Sequence, residues 1–372
     1  MVTEVLKPVA PGGTIGILGG GQLGRMTALA AAQLGYRCHI FSPDAGSSAG
    51  QVAAAVTNAD YTNLQALESF ANSIDVATFE FENIPIESIR FIAKHVPVRP
   101  GAKALSVAQD RGEEKAFLQS VDIPVSPYRI VECVADLEQG LIALGRPAVL
   151  KTARLGYDGK GQVFIDNDTD PTEAFAEMGA VRGVLEQWVD FKLEISVIAA
   201  RSADGSSDCY IPVENQHRDH ILSRTIAPAR ISAACSDRAE TIAWRIANAL
   251  EIVGLLAVEM FVTQDDDIIV NEIAPRPHNS GHWTMDACAT SQFEQFVRAI
   301  LGLPLGPTER HSDAIMRNLI GQDVLEWESY VADESAHMHL YGKHDARPRR
   351  KMGHVNRLYP LGSLRDRPNL GD

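Results

Sequence analysis

The sequence predicts a mixed chain in which a doubly wound α/β region is followed by antiparallel α+β regions. The first hundred residues alternate between strand and helix patterns, and such alternation is typical of a parallel sheet. From Ala148 onward, strand patterns follow one another and are joined by glycine-rich or charged turns, which indicates antiparallel pairing. A third observation is the segment Arg99-Pro100-Gly101, which marks a boundary between the two regions.

The individual elements follow from hydrophobic periodicity and from the residues that end each pattern. In the first region we expect strands at 14–18, 37–41 and 76–79, with helices at 25–34, 64–73 and 86–94. Gly35 closes the first of these helices. Beyond the boundary we expect a charged helix at 109–120, strands at 148–152, 162–165, 184–189 and 194–199, a helix at 237–250, and strands at 255–262 and 268–273.

Composition excludes several classes of function. The chain has 372 residues, which at about 150 residues per domain suggests two to three domains. It carries 34 basic and 48 acidic residues, a formal net charge of −14. Phosphate backbones and anionic lipids repel a chain this acidic, so nucleic acids and membrane surfaces are disfavoured as partners. A small basic pocket remains compatible with this balance.

The cysteine pattern and the N-terminal sequence both favour a cytoplasmic location. The five cysteines are scattered without metal-ligand or redox spacing. Charged residues near the N-terminus break a signal-peptide pattern, and no stretch of 18 uncharged apolar residues occurs. We therefore expect a cytoplasmic protein with reduced cysteines.

A glycine motif follows the first predicted strand. Gly19, Gly21 and Gly24 form G-x-G-x-x-G at the start of a helix, and Asp44 lies twenty residues further on. The spacing fits a dinucleotide fingerprint, although free N–H groups at a helix N-terminus attract any phosphate. A tight turn without a ligand is the alternative.

Two glutamates give the clearest chemical signal. If the turn at 264–267 closes a hairpin with two or four loop residues, Phe261 pairs with Val270 and Glu259 lies opposite Glu272. Like charges in directly opposed positions repel, so a cation between them is expected. Mg²⁺ fits, because it takes one or two carboxylates and completes its shell with phosphate oxygens and water. The alternative is that one glutamate faces solvent or pairs with an arginine.

A glycine-rich loop and two basic segments could bind anions. Residues 154–161 contain three glycines and Lys160 between two strands, with Lys151 at the end of the first, which favours a lid over phosphates against an inert turn. Prolines on both sides of Arg276 could hold its guanidinium as an anion clamp. Zinc binding by His278 and His282 is disfavoured because a third ligand is missing. The basic tail from Ser335 is either a solvated surface or a phosphate pocket.

Taken together, these motifs resemble one family. They are Gly-Gly-Gly-Gln-Leu-Gly-Arg-Met at 19–26, Phe-Glu-Phe-Glu-Asn at 79–83, the loop at 156–162, Glu259 with Asn271-Glu272, Pro-Arg-Pro-His-Asn-Ser-Gly-His-Trp-Thr at 275–284, and Arg-Lys-Met-Gly-His at 350–354. In this order and spacing the chain resembles the N5-carboxyaminoimidazole ribonucleotide synthetases, which are ATP-grasp enzymes of purine biosynthesis. The resemblance runs from about Gly13 to about Leu358.

The resemblance implies a fold and a reaction. The fold would comprise a Rossmann-like N-terminal domain at 1–103, a linker helix and small antiparallel ATP-grasp lid at 104–190, and a C-terminal ATP-grasp domain at 191–372. The reaction would join bicarbonate to 5-aminoimidazole ribonucleotide at the expense of ATP, with one or two Mg²⁺ ions and a carboxyphosphate intermediate. The products would be N5-carboxyaminoimidazole ribonucleotide, ADP and phosphate, and a homodimer is expected.

The resemblance also implies site residues, grouped here by the ligand they would contact. ATP would be bound by Arg111, Lys151, Gly156, Tyr157, Asp158, Gly159, Lys160, Gly161, Gln162, Glu186, Gln187, Trp188, Val189, Glu194, His217, Asn271 and Glu272. Mg²⁺ would be held by Glu259 and Glu272. Bicarbonate and carboxyphosphate would meet Arg276, His278, Asn279 and Ser280, and the aminoimidazole would meet Tyr157 and Asp158. The ribose phosphate would contact Gln22, Leu23, Glu80 or Glu82, Lys343, Arg350 and Lys351.

One position departs from the wider ATP-grasp pattern, and three other functions stay open. Many ATP-grasp proteins have an asparagine two residues after the second glutamate, where this chain has Ala274. Strand alternation directs Asn271 to the face opposite Glu272, which puts a second metal ion in question. The alternatives are a formate-dependent glycinamide ribonucleotide transformylase, an oxidoreductase that uses the glycine motif, and a nucleotide-binding protein without catalysis.

Overall fold

The computed structural model describes residues 7–156 and 159–364. Three separate sheets are built from these residues, and each draws its strands from one of the three predicted segments. In the described part of the chain, no helix has the length and apolar character needed to cross a membrane.

The first sheet is parallel, as the alternating pattern predicts. Its strands lie in the order β3-β2-β1-β4. The strands are β1 (Thr14–Leu18), β2 (Arg37–Phe41), β3 (Ala55–Thr57) and β4 (Val76–Phe79), and the helices are α1 (Gln22–Gln33), α2 (Leu64–Ala71) and α3 (Ile86–Ile92). The apolar sequences of β1 and β4 agree with their almost complete burial.

Two short helices connect the first sheet to the second, α4 (Ala102–Ala108) and α5 (Arg111–Ser120). Asp110 separates them because its side chain accepts hydrogen bonds from the N–H groups of Gly112 and Glu113, and so begins α5. Asp110 also pairs with Arg182 at 2.6 Å, which ties α5 to the second sheet. Helix α5 is central to the site, since it carries Arg111 at its first turn.

The second sheet is antiparallel, with the strand order β5-β8-β6-β7. Its strands are β5 (Tyr128–Val131), β6 (Ala148–Thr152), β7 (Gln162–Ile165) and β8 (Gly183–Gln187), with helices α6 (Val134–Leu144) and α7 (Pro171–Glu177). The predicted glycine-rich loop joins β6 to β7. The side chains of α6 and α7 pack on this sheet in one apolar cluster.

The third sheet has nine strands among the described residues and is antiparallel throughout, in the order β14-β13-β9-β11-β12-β15-β17-β16 with β10 on β9. The strands are β9 (Phe191–Arg201), β10 (Ser207–Cys209), β11 (Val213–Arg218), β12 (Ile221–Ala227), β13 (Gly254–Thr263), β14 (Ile268–Ala274), β15 (Asp313–Ile320), β16 (Ala336–Leu340) and β17 (Lys351–Tyr359). The helices are α8 (Ala233–Ala249), α9 (Thr284–Ala287), α10 (Gln292–Leu301) and α11 (Trp327–Ala332).

The basic tail from Ser335 forms part of this sheet. It contains β16 and β17, and β17 pairs with β15 from Asp313 to Ile320. The segment between β16 and β17 reaches the connection between β2 and β3, where the Gly342 carbonyl accepts a hydrogen bond from the Gln51 side chain. The tail therefore closes one side of the cleft described below.

We expect the replacement Asp110→Ala to lower the free energy of unfolding by about 1 kcal/mol, because α5 loses the oxygen that caps its N-terminus. Asp110→Asn keeps a capping oxygen but loses the charge that faces Arg182, so it should recover the part of this loss that belongs to the cap. Urea denaturation followed by circular dichroism measures both variants. Equal unfolding midpoints for the alanine variant and the wild type would show that the cap contributes nothing.

Candidate active site

The hairpin of β13 and β14 places Glu259 directly opposite Glu272, as predicted. The predicted pair Phe261–Val270 is wrong, since Phe261 pairs with Ile269. The last ladder pair, Val262 with Ile268, encloses an odd number of residues, 263–267, which shifts the register by one position. A bulge between the turn and the glutamates cancels this shift.

The bulge residue is Asn271, and its position corrects a second prediction. Strand alternation directs Asn271 to the face opposite Glu272, but a bulged residue re-aims its side chain. The Asn271 Oδ1 accepts a hydrogen bond from the Lys151 Nζ at 3.2 Å. Asn271 therefore contributes to the predicted phosphate-binding side of the cleft.

Each of the opposed glutamates has a cationic or hydrogen-bonding partner. The Glu272 Oε2 lies 2.9 Å from the Arg111 Nη2, and the Glu259 Oε1 lies 3.0 Å from the His278 Nε2. The alternative of a glutamate paired with arginine is thus present for Glu272. Burial acts to raise the pKa of Glu259, but His278, His217 and Lys351 outweigh it and lower this pKa to about 2.

Two lysines share a single buried carboxylate beside this pair. Lys115 and Lys151 each place their Nζ 3.1 Å from the Glu186 Oε2. Burial opposes ionisation of Glu186, yet Lys151, Lys115 and Arg111 together lower its pKa to about 2. The carboxylate predicted at the adenine edge is therefore held inside, at the base of the cleft.

Helix α5 also fixes the backbone of strand β14, which carries Glu272. The Glu114 Oε1 accepts a hydrogen bond of 2.6 Å from the Ile273 N–H, next to Glu272. Burial raises the pKa of Glu114 to about 8, with repulsion from Glu272 adding to the shift and attraction to Arg111 opposing it. Arg111, Glu114 and Lys115 thus lie on one face of α5, about one turn apart, and each contacts a residue of the site.

The predicted anion clamp, Arg276, is held by Glu82. Its Nε lies 2.8 Å from the Glu82 Oε1, and its Nη2 donates to the Glu82 Oε2 at 3.0 Å. This two-point pairing fixes the plane of the guanidinium. The remaining Nη1 donates to the Pro277 carbonyl at 3.1 Å. Glu82 is accordingly a positioning partner of Arg276.

Glu80 corrects the phosphate interpretation of the glycine motif. Its carboxylate accepts hydrogen bonds from the N–H groups of Gly21 and Gly24, at the start of α1. Gly19 has φ +112°, and a Cβ there would collide with the Glu80 side chain. The helix N-terminus is therefore filled by a carboxylate of the chain itself, which argues against a bound dinucleotide.

The buried Glu80 also faces the basic tail. Burial raises its pKa, against the N–H groups it accepts from and the nearby charges of Arg276 and Lys343. The Lys343 Nζ donates to the Lys351 carbonyl at 2.7 Å. The structure thus brings Glu80, Lys343 and Lys351, three of the predicted ribose-phosphate residues, to one region together with Arg276.

The other predicted ribose-phosphate residues occupy different positions. Gln22 begins α1, whereas the Leu23 side chain lies in the apolar core, so only its backbone is placed to meet a ligand. Arg350 directs its Nη1 to the Asp345 carbonyl at 3.2 Å.

The glycine-rich loop packs against the turn between β11 and β12. The Gln162 Nε2 lies 3.1 Å from the His220 Nδ1, and Gly159, at φ +76°, leaves no room for a Cβ beside His220. The Gly161 carbonyl accepts from the Thr152 N–H. Tyr157 and Asp158 lie outside the described residues.

The residues predicted to contact the adenine and ribose of ATP lie where the second and third sheets meet. Gln187 ends β8, its Nε2 donates to the Leu144 carbonyl, and Trp188 is exposed with its ring 5.1 Å from that of Phe164. The Glu194 Oε2 lies 3.0 Å from the His217 Nδ1. Burial acts to lower the pKa of His217, but the Glu194 contact outweighs it and raises this pKa.

The segment after β14 carries the last group of predicted residues. His278 contacts the Ser280 Oγ at 2.8 Å through its Nδ1, while its Nε2 faces Glu259. Both polar atoms of the Asn279 amide are buried without a hydrogen-bond partner. An unpaired buried amide costs free energy, so this side chain is suited to a polar ligand.

Three family models match consecutive parts of the chain. They are the ribonucleotide synthetase preATP-grasp domain at residues 13–109, the ATP-grasp domain at 116–293 and the phosphoribosylaminoimidazole carboxylase C-terminal domain at 314–360. The N5-carboxyaminoimidazole ribonucleotide synthase of Brucella melitensis is 47% identical over 352 residues, which cover 94% of this chain and 97% of the relative. The chain belongs to the N5-carboxyaminoimidazole ribonucleotide synthase family.

Other similar proteins agree with this family. A bifunctional purine synthesis protein of Dictyostelium discoideum is 46% identical, and the chain spans 37% of its length. A solved N5-carboxyaminoimidazole ribonucleotide synthetase in complex with ADP superposes with a TM-score of 0.92 at 44% identity, covering 95% of this chain and 94% of the other. The N5-carboxyaminoimidazole synthase of Aspergillus clavatus, in complex with ADP and 5-aminoimidazole ribonucleotide, gives a TM-score of 0.87 at 32% identity with 94% of each chain covered. The predicted ATP-grasp fold is confirmed.

Sequence reasoning missed several residues of this synthase-family site. Glu114 and Lys115 carried a usable signal, because they lie three and four positions after Arg111 on a predicted helix. Gln292 carried none, although its side chain accepts from the His278 N–H at 2.9 Å and donates to the His278 carbonyl at 2.7 Å. Fourteen residues separate the two, and only the folded chain brings them together.

In the absence of nucleotide and metal, we expect Glu114→Gln to flatten the dependence of stability on pH. The pKa of Glu114 is about 8 in the folded chain against an ordinary 4.5, so between these values the folded state binds more protons than the unfolded state. The free energy of unfolding of the wild type should therefore fall as pH rises across this window. Parallel pH profiles of the two proteins in urea denaturation would contradict this.

Proposed function

We propose that the cleft between the second and third sheets carries out the reaction of this synthase family. ATP and bicarbonate would give carboxyphosphate and ADP, and carboxyphosphate would then carboxylate the amine of 5-aminoimidazole ribonucleotide with release of phosphate. The single observation that carries this proposal is the continuity of the site. The opposed glutamates lie between the Arg111 and Lys151 cations on one side and the 276–280 segment on the other.

The nucleotide would bind at the end of the cleft that holds Arg111 and Lys151. In the structure Arg111 pairs with Glu272, and Lys151 pairs with Glu186. Phosphate oxygens of a bound nucleotide would accept hydrogen bonds from these two cations as well. Lys115, buried beside Lys151, would add to the positive potential. We expect the loop at 156–162 to cover the phosphates. Gln187, Trp188 and Val189 would line the adenine, and Glu194 with His217 would face the ribose.

The opposed glutamates are suited to hold Mg²⁺. Two carboxylates and the Asn271 amide provide only oxygen ligands, which this ion prefers. Within residues 7–156 and 159–364, no cluster of three or more histidine, cysteine, aspartate or glutamate side chains could hold a metal alone. Phosphate oxygens would therefore have to complete the shell. When bound, the ion would neutralise charge on the transferring phosphoryl group.

Bicarbonate would bind next to the γ-phosphate, against Arg276, His278, Asn279 and Ser280. Arg276 is already oriented by Glu82 and by the prolines that flank it. The unpaired Asn279 amide offers both a donor and an acceptor to a small planar anion. Holding bicarbonate against the phosphate in this way converts a bimolecular step into an intramolecular one.

The ribonucleotide would bind between α1 and the basic tail. We propose that Glu80, with Gln22 and the Leu23 backbone, lines this pocket, and that Glu82 acts through Arg276. Lys343, Arg350 and Lys351 would receive the phosphate. The proximity of Lys343 to Glu80 supports this assignment. We expect Tyr157 and Asp158 to meet the aminoimidazole from the loop.

We also propose that the protein works in the cytoplasm as a homodimer, as the family resemblance implies. Sedimentation velocity tests the second statement, and a single monomeric species at micromolar concentration would reject it.

ADP release should require both bicarbonate and 5-aminoimidazole ribonucleotide. A coupled ADP assay with each substrate omitted in turn measures this dependence. Replacing them with formate and glycinamide ribonucleotide should give no turnover, which separates this reaction from the related transformylase. Equal ADP release without bicarbonate or without the aminoimidazole would reject the proposal.

We expect Glu272→Gln to lower the rate of ADP release by about 100-fold or more, because one metal ligand loses its charge. Its unfolding midpoint should stay close to that of the wild type. Glu68→Gln, on the exposed face of α2, is the matched control and should keep full activity. A wild-type rate in the Glu272 variant would place the metal elsewhere.

A further inference from the structure

We propose that a buried chain of hydrogen bonds through Thr225, Asn215, Ser196 and Ser280 orients His278 and, through it, the proposed metal ligand Glu259. This inference rests on the proposed function for its catalytic meaning. Thr225, Asn215 and Ser196 lie on the neighbouring strands β12, β11 and β9, and none of them is among the residues predicted from the sequence. We assign them as positioning residues.

The chain is continuous at hydrogen-bond distance. The Thr225 Oγ1 donates to the Asn215 Oδ1 at 3.0 Å, and the Asn215 Nδ2 donates to the Ser196 Oγ at 2.9 Å. The Ser196 Oγ donates to the Ser280 Oγ at 2.7 Å, which lies 2.8 Å from the His278 Nδ1. The first four of these residues are buried, where polar groups are retained only with partners.

Two fixed groups determine which ring nitrogen of His278 carries the hydrogen. The Ser280 backbone N–H points at the His278 Nδ1 at 3.3 Å, and a backbone N–H can only donate. At the other end, the Nε2 lies 3.0 Å from the Glu259 Oε1 and is the ring nitrogen left to donate a hydrogen. This geometry places a lone pair on Nδ1 and the hydrogen on Nε2.

The buried hydroxyl groups continue the same direction of hydrogen-bond donation across the sheet. Because the Asn215 amide donates to Ser196, the Ser196 hydroxyl is directed to Ser280 and the Ser280 hydroxyl to His278. Donation from the His278 Nε2 to the Glu259 Oε1 leaves the second oxygen of that carboxylate for another partner. Such outer contacts orient metal-binding carboxylates and typically change metal affinity or activity by 10–100-fold.

The backbone of His278 is held independently of this chain. Gln292 binds both the N–H and the carbonyl of His278. Changes at Ser196 or Asn215 therefore leave the loop anchored and act on the ring through Ser280. This separation makes the proposal testable with variants that preserve the fold.

The tautomer is measured on protein labelled with ¹⁵N-histidine, without nucleotide or metal, from long-range nitrogen–proton correlations. The His278 signals are identified by their loss in His278→Gln. We expect hydrogen on Nε2 in the wild type. Hydrogen on Nδ1 in the wild type would overturn the proposal without any further variant.

Asn215→Asp tests the direction of the chain with almost no change in shape. An aspartate can only accept, so it should draw the Ser196 hydroxyl away from Ser280 and move hydrogen toward the His278 Nδ1. Ser196→Ala should give a mixture of ring states. The control is Thr308→Val, which removes a buried hydroxyl bound to the Asp208 Oδ2 at 2.9 Å and should leave the His278 spectrum unchanged. Unchanged His278 signals in both network variants would overturn the proposal.

A second measurement links the tautomer to metal binding. The Mg²⁺ concentration for half-maximal ADP release should rise about 10-fold in Ser196→Ala, within the range of outer contacts, while Thr308→Val keeps the wild-type value. An unchanged Mg²⁺ requirement in Ser196→Ala would reject the link to Glu259. If the wild type shows the Nε2 tautomer but no bicarbonate-dependent ADP release, the proposed function fails and the hydrogen-bond assignment stands.

Discussion

The pairing of buried opposite charges is the constraint on which the rest of the site depends. Glu186 is buried and Glu259 is largely so, and as isolated carboxylates both would be too costly to bury. Glu114, also buried, responds instead with a pKa raised to about 8. Lys115 and Lys151 offset that cost for Glu186, His278 contacts Glu259 at hydrogen-bond distance, and Arg111 pairs with the neighbouring Glu272. These partners come from α5, β6 and the segment after β14, so the arrangement forms only when the linker helix and both antiparallel sheets are assembled.

The same pairing explains how an acidic chain can receive anions. A net charge of −14 disfavours nucleic acids and membrane surfaces as partners, but it says nothing about the local potential inside a cleft. Here the cations are already present and already oriented by carboxylates. An incoming phosphate would exchange one anionic partner for another, which requires less reorganisation than gathering free lysines and arginines from solvent.

The fold was largely predictable because its strands are short, apolar and bounded by glycine, proline or charged turns. The position of Glu259 opposite Glu272 was predicted correctly, but for a partly wrong reason. The turn has an odd length, and the bulge at Asn271 compensates for it. Turn length and bulges depend on backbone conformation at residues such as Asp266, with φ +65°, which hydrophobic periodicity does not encode. Contacts between distant segments, such as Gln292 with His278 or Ser196 with Ser280, produce no recognisable spacing in the sequence and could not be predicted from it.

The carboxylate of Glu80 at the start of α1 determines which chemical groups of a ligand can bind next to that helix end. The free N–H groups of a helix after a glycine motif ordinarily receive phosphate, yet here they are saturated from within the chain. A phosphate placed at that end would meet a negative group, while a hydroxyl would meet an acceptor. The two ends of a ribonucleotide are therefore not interchangeable in this cleft. In the proposed binding mode its sugar hydroxyls would face the N-terminal sheet and its phosphate the C-terminal strands, so the Glu80 carboxylate would orient the ribonucleotide.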